Sequence, residues 1–110
     1  MKYTKINLKP LSVNEAWQGK RFKTLKYKHF EKNCLLMLPV SKIYENRLKI
    51  SIEYGFSNVM SDIDNPTKMI LDILQKRYGF NDNKIYELNL TKKIVEKGSE
   101  YFSFLISYLD

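Results

Sequence analysis

Between Ser61 and Asp82 the chain reads S-D-I-D-N-P-T-K-M-I-L-D-I-L-Q-K-R-Y-G-F-N-D. Asp62 and Asp64 stand two residues apart, followed by Asn65, Lys68 and Asp72, and then, past Gly79, by Asn81 and Asp82. Carboxylates two residues apart on an extended chain point to the same side. Like charges so placed repel unless one takes up a proton or a cation sits between them. Carboxylate oxygens and water are the ligands Mg²⁺ prefers, and it usually takes only one or two carboxylates from the protein. Lys68 falls in the first turn of the helix expected here, where the helix dipole disfavours a positive charge by about 0.3–1 kcal/mol. Surrounding carboxylates and a phosphate would make the same position favourable. A plainer reading fits the spacing equally well: Asp64 and Asn65 as helix-capping residues, and Lys68–Asp72 as a surface ion pair in the weaker of its two orders.

The elements that must hold these residues follow from hydropathy patterning. Residues 3–8 alternate and predict a first strand, ended by Pro10. Ser12 and Glu15 have capping-box spacing and predict a short turn of helix carrying Ala16 and Trp17. Gly19 opens a basic loop. Tyr27, Phe30, Cys34, Met37 and Leu38 recur at helical spacing and predict a helix over 25–38 that Pro39 stops. Leu48, Ile50, Ile52, Tyr54 and Phe56 alternate with Lys49, Ser51, Glu53 and Gly55, predicting a strand with one core face and one more polar face. Asn65 as N-cap, Pro66 in the first turn and Gly79 as a left-handed stop bound a second helix, with Met69, Ile70, Ile73 and Leu74 on its buried side. Residues 84–95 and 100–108 read as two strands joined at Lys97-Gly98-Ser99.

The order is strand, helix, strand, helix, strand, strand. It predicts a single α+β domain over 1–110, two main helices packed on a mostly four-stranded mixed sheet. A helix of about 13 residues is roughly 20 Å long and carries Asp82 away from Asp62 and Asp64. The sheet has to bring Asp82 back by laying the next strand beside the one that ends near Asp62.

Composition sets the surroundings. The chain has 110 residues, a formal net charge of +7, one cysteine and one histidine. That excludes an internal disulfide and a Cys/His zinc site within one chain. No apolar run approaches a membrane span and the N-terminus lacks the apolar stretch of a signal peptide, so a cytoplasmic protein with no membrane partner is expected. Charge divides unevenly: residues 1–49 carry a net +9 and residues 50–110 a net −2. A basic half beside an acidic cluster suggests a polyanion grip next to a separate acidic site, although a solvated basic surface gives the same count. Lys20, Arg21, Lys23, Lys26 and Lys28 are the candidate contacts to the phosphates of a nucleic acid. Phe22, set among the first three of them, is a candidate for stacking on an unpaired base, or else packs like most loop aromatics. His29 reads as a surface residue or a further phosphate contact.

The D-x-D-N, the Lys three residues beyond, the Asp in the helix and the turn Asp before Ile85 together resemble the signature of the RusA family of Holliday junction resolvases. The opening K-P-L-S-V-N followed by a basic loop resembles the family's start and places Asn14 at its asparagine. The resemblance implies a RusA-like nuclease domain acting as a homodimer on four-way DNA junctions and other branched DNA. It implies Mg²⁺, with Mn²⁺ as a possible substitute, held by Asp62, Asp64 and Asp82. Lys68 would then stand by the scissile phosphate, with Asn65, Asp72 and Asn81 supporting these groups. The setting would be a bacterial or phage-infected cell. The family commonly has two adjacent aspartates in the turn where this chain has Asn81-Asp82. A DNA-binding protein that keeps the fold without cutting, and a small interaction protein whose acids are only caps and ion pairs, are the competing readings.

Overall fold

The computed structural model describes residues 2–18, 22–44 and 46–109, without the side chains of 13, 14, 17, 18 and 22. The elements run β1 (Thr4–Ile6), α1 (Val13–Ala16), β2 (Trp17–Gln18), β3 (Phe22–Lys23), α2 (Leu25–Met37), β4 (Leu48–Phe56), α3 (Thr67–Tyr78), a 3-10 turn (Asp82–Lys84), β5 (Ile85–Ile94) and β6 (Tyr101–Tyr108). This is the expected α+β domain, with two main helices and a four-stranded mixed sheet. Among the described residues no helix is long and apolar enough to cross a membrane.

The sheet order is β1-β6-β4-β5. β4 lies between an antiparallel neighbour, β6, and a parallel one, β5. A parallel pair needs a long crossover, and α3 supplies it. β5 and β6 follow one another in sequence but sit on opposite sides of β4. The turn around Gly98 (φ 97°) therefore carries the chain across the end of β4. There Glu100 accepts hydrogen bonds from Ser57 Oγ (2.7 Å) and the Gly98 amide (2.8 Å).

β4 is apolar on the expected face, but Ser51 and Gly55 on the other face are buried as well. At Gly55 the cause is Tyr101. Its ring covers Gly55 so closely that a Cβ there would stand 2.2 Å from Cε1. Its hydroxyl donates to Glu53 Oε1 at 2.6 Å. On the opposite face α2 and α3 close the core: Phe30 meets Phe102 at 6.4 Å between ring centroids, and Tyr78 meets Phe104 at 6.2 Å. Tyr27, Phe30, Cys34 and Leu38 are buried as the periodicity requires. Met37, placed on the same stripe, is exposed, because it falls at the stripe's edge in the last turn. Burial first, and the Glu31 charge second, push the Cys34 thiol up to about 12, so it packs rather than reacts.

Two local expectations need correction. Trp17 is not helical: β2 and β3 form a small antiparallel pair, with Trp17 opposite Lys23 and Gln18 opposite Phe22, inside what read as a helix end and a loop. Nor does Asn65 cap α3. Pro66 holds the cap position without a side-chain hydrogen bond, and residues 63–66 are already wound into turns, with Thr67 N reaching Asp64 O (3.2 Å). The capping box of α1 forms as expected: Glu15 N donates to Ser12 Oγ (3.3 Å), and Ser12 N and Oγ both reach Glu15 Oε1 (3.4 and 3.0 Å). Gly79 ends α3 in the left-handed region (φ 74°, ψ 21°), where a side chain would be strained.

Candidate active site

The acidic stretch is fixed to the sheet from beneath. Thr67 Oγ1 donates to Ile63 O (2.8 Å) and so accepts from the buried Tyr54 hydroxyl (2.8 Å). Burial pushes the Tyr54 phenol up from its ordinary value, which keeps it a neutral donor. One hydrogen-bonded chain thus runs from β4 through the start of α3 to the residue between Asp62 and Asp64. Asn65 N closes the turn onto Asp62 O at 3.3 Å.

Asp62 and Asp64 are both exposed, but not as a pair on an extended strand. β4 stops at Phe56, and Asp64 sits in the turn before α3. Asp62 lines a cavity of about 260 Å³ with Lys9, Glu15, Asn58, Asn65 and Glu100. Asp64 lines a groove of about 270 Å³ between α3 and β5, with Lys68, Leu71, Asp72, Leu88 and Asp82.

β5 lies beside β4, the neighbour expected for it, but the two run parallel. Ile85 faces Leu48 and Ile94 faces Phe56. Asp82 therefore enters at the start of β4, the far end from Asp62. At about 3.3 Å per residue the pair spans roughly 26 Å. Asp64 and Asp82 share one groove because it follows α3, about 18 Å long. Among the described residues no group of three or more His, Cys, Asp or Glu side chains is arranged to hold a metal ion. The three aspartates are thus not gathered within one chain.

Lys68 reaches Asp72 at 3.7 Å along the first turns of α3, with its side chain 75% exposed. The ammonium is steered rather than buried. Asn81 caps the 3-10 turn, accepting from Asn83 N at 3.3 Å, and both Asn81 and Asp82 are exposed.

Of the basic candidates, Lys23 is engaged within the fold. Its ammonium lies 3.1 Å from Glu31 and 4.9 Å from the centre of the Tyr27 ring. Lys26 pairs with Glu15 at 3.3 Å on the surface. Lys28 and His29 are exposed on α2. Lys20 and Arg21 lie outside the described residues, as do the side chains of Asn14 and Phe22. Thr24 draws this region together: it caps α2, accepting from Tyr27 N (3.2 Å), and its hydroxyl lies within hydrogen-bond reach of the Glu15 and Ala16 carbonyls.

Patterning missed three supporting residues. Tyr54 read only as core, and Thr67 as a residue between a proline and a lysine. Lys92 donates from β5 to Val59 O (3.0 Å) and Ser61 O (2.8 Å), holding the loop before Asp62. The signal for Lys92 was present: it falls in phase with Leu88, Leu90 and Ile94, a charged residue on the otherwise apolar side of β5.

Comparison with curated proteins finds no match. The family model described as endodeoxyribonuclease RusA matches residues 14–100. The match takes in α1 through the turn before β6, with the turn of Asp62 and Asp64, the Lys68–Asp72 pair and Asp82 all inside it, and on that ground the chain belongs to the RusA family of endodeoxyribonucleases.

Proposed function

We propose that the chain is a metal-dependent endonuclease that cuts branched DNA, four-way junctions foremost, and works as a homodimer with one nuclease domain per chain over residues 1–110. The observation that carries this is Asp62 and Asp64 at the anchored turn before α3, with Lys68 in the first turn of that helix, in a chain of an endodeoxyribonuclease family. Its setting would be the cytoplasm of a bacterium or of a phage-infected cell.

The donor set suits a hard cation: carboxylates from Asp62 and Asp64, with no histidine or cysteine among the described residues that line the cavity of the one or the groove of the other. Asp82 suits it chemically but stands at the other end of β4–β5 in its own chain. In this reading a second copy related by a two-fold axis supplies Asp82, so the dimer completes each site and also provides the two sites that paired cuts require. A bound Mg²⁺ or Mn²⁺ ion would polarise the scissile phosphate and lower the pKa of a bound water. The chain's own residues do the rest. Lys68 offsets charge developing on the phosphate oxygens. Asp72, 3.7 Å away, keeps its ammonium over the turn, and Asn65 braces the backbone of Asp62. Asn14, Lys20, Arg21, Phe22, Lys23, Lys26 and Lys28 are the DNA contacts in this reading, Phe22 being the candidate for stacking on an unpaired base.

A second reading, a DNA-binding protein that does not cut, is favoured by Asn81 standing where the family commonly has an aspartate. Incubation with a labelled four-way junction and Mg²⁺ separates the two. Paired nicks are expected from the unmodified chain. Asp64→Asn and Lys68→Ala should abolish cutting while binding persists. Binding without cutting by the unmodified chain would establish the second reading.

A further inference from the structure

The five residues between β4 and the acidic turn, S-N-V-M-S, are held more tightly than a surface link requires. Asn58 Oδ1 accepts from Met60 N (2.9 Å), and Asn58 O accepts from Ser61 N (3.1 Å). From the neighbouring strand the Lys92 ammonium donates to the carbonyls of Val59 and Ser61, which bracket Met60. Two apolar side chains are nevertheless turned to water: Met60 is 81% exposed and Val59 67%. Scattered exposed apolar residues need no explanation. Here a lysine is committed to backbone carbonyls, at a cost in side-chain entropy, to fix a loop whose tip is apolar. Met60 also stands on the rim of the cavity that Asp62 lines, two residues before it.

Val59 and Met60 stand just before the acidic turn, to which the endonuclease reading brings the strand to be cut. On a chain of net charge +7 the polyanion is the expected visitor, and small apolar wedges, methionine among them, are what proteins insert between base steps. We propose that Met60, backed by Val59, enters the base stack beside the phosphate to be cut, and that Lys92 is the positioning residue that holds the wedge at the height of Asp62. This rests on the endonuclease reading and extends it to the selection of branched DNA. Unstacking is least costly where the stack is already interrupted, so a wedge coupled to cutting disfavours unbroken duplex without any sequence contact.

The test uses the full chain and a four-way junction carrying 2-aminopurine beside the cleavage step, with Ca²⁺ replacing Mg²⁺ for binding and Mg²⁺ restored for cutting. Binding of the unmodified chain should raise the fluorescence, because the base leaves its stack. Met60→Ala should bind comparably, lose that rise and cut roughly tenfold more slowly, a modest share of what unstacking a step costs. Met60→Leu should restore both signals, and Lys92→Gln should reduce both. A mismatch at the same step should return Met60→Ala to near-normal cutting, a rescue that a merely structural role would not produce. Met60→Ala with unchanged fluorescence and cutting overturns the wedge alone, as does a cutting defect that the mismatch leaves in place. If the unmodified chain neither binds nor cuts any junction, the endonuclease reading fails first and takes the wedge with it.

Discussion

Tyr54 does two jobs with one side chain. Its ring stacks on Phe56, 5.3 Å between centroids, and its hydroxyl satisfies Thr67 from below the acidic turn. Tyr54→Phe keeps the first and deletes the second. Thr67 can still donate to Ile63, so the loss should be on the order of 0.5–1.5 kcal/mol, read from urea midpoints. Cutting should fall more than stability does, because the turn bearing Asp62 and Asp64 loses its tie to the sheet. A variant as stable and as active as the parent would show that the bond anchors nothing. Gly55 presents the opposite constraint, an absence of side chain. The Tyr101 ring above it is held by Glu53 and by Lys5, whose ammonium lies 4.3 Å from the ring centre. Gly55→Ala must displace that ring and should cost about 1–3 kcal/mol. Adding Tyr101→Ala should make the Gly55→Ala step far less costly, which a double-mutant cycle would read.

At the scale of elements, Glu31 ties three together. From α2 it meets Lys23 of β3 at 3.1 Å and Lys76 of α3 at 3.3 Å, with only 14% of its side chain exposed. Burial pushes its carboxyl up, but the hydrogen bonds and charges of the two lysines outweigh that and hold it below the ordinary 4.5. A carboxyl lowered in the folded state adds stability that is present above its unfolded value and lost as pH falls through the folded one. Denaturation midpoints should therefore drop on acidification below about pH 4.5, the ordinary value. Glu31→Gln should lower the midpoint at neutral pH and flatten that part of the profile; a profile of unchanged shape would remove Glu31 from the account. Elements of this kind were readable in advance where one period dominated: α2, β4, the Ser12–Glu15 box and the Gly79 stop. Asn65 misled because residues that favour caps also favour the turns wound ahead of Pro66. The β2–β3 pair is two residues per strand, too short for any period to register.

For the whole molecule, strand periodicity reports which face a residue takes and is silent on which strand lies next door or which way it runs. The spacing of Asp82 from Ile85 was visible in the chain, whereas its place at the start of β4 depended on a parallel register that no spacing encodes. The same register makes the shared-site proposal testable by complementation. Asp64→Asn and Asp82→Asn chains, each inactive alone, should regain single-strand nicking when mixed, since a mixed dimer then holds one intact site. If each site drew all its aspartates from one chain, mixing would restore nothing. Junction affinity should also fall by roughly three decades between 50 and 200 mM salt if about six phosphates are gripped; a flat salt response would take the basic half out of the DNA-binding account. The strand order has a consequence in time as well. β1 pairs only with β6, Thr4 facing Phe104 across almost the whole chain, and β4 has no partner on that side until the same strand arrives. A nascent chain can join β4, α3 and β5 early, yet the first strand made must wait for the last. Contacts so distant in sequence slow folding, and until Tyr101–Tyr108 emerges, the β4 edge that β6 will cover remains open to whatever strand reaches it first.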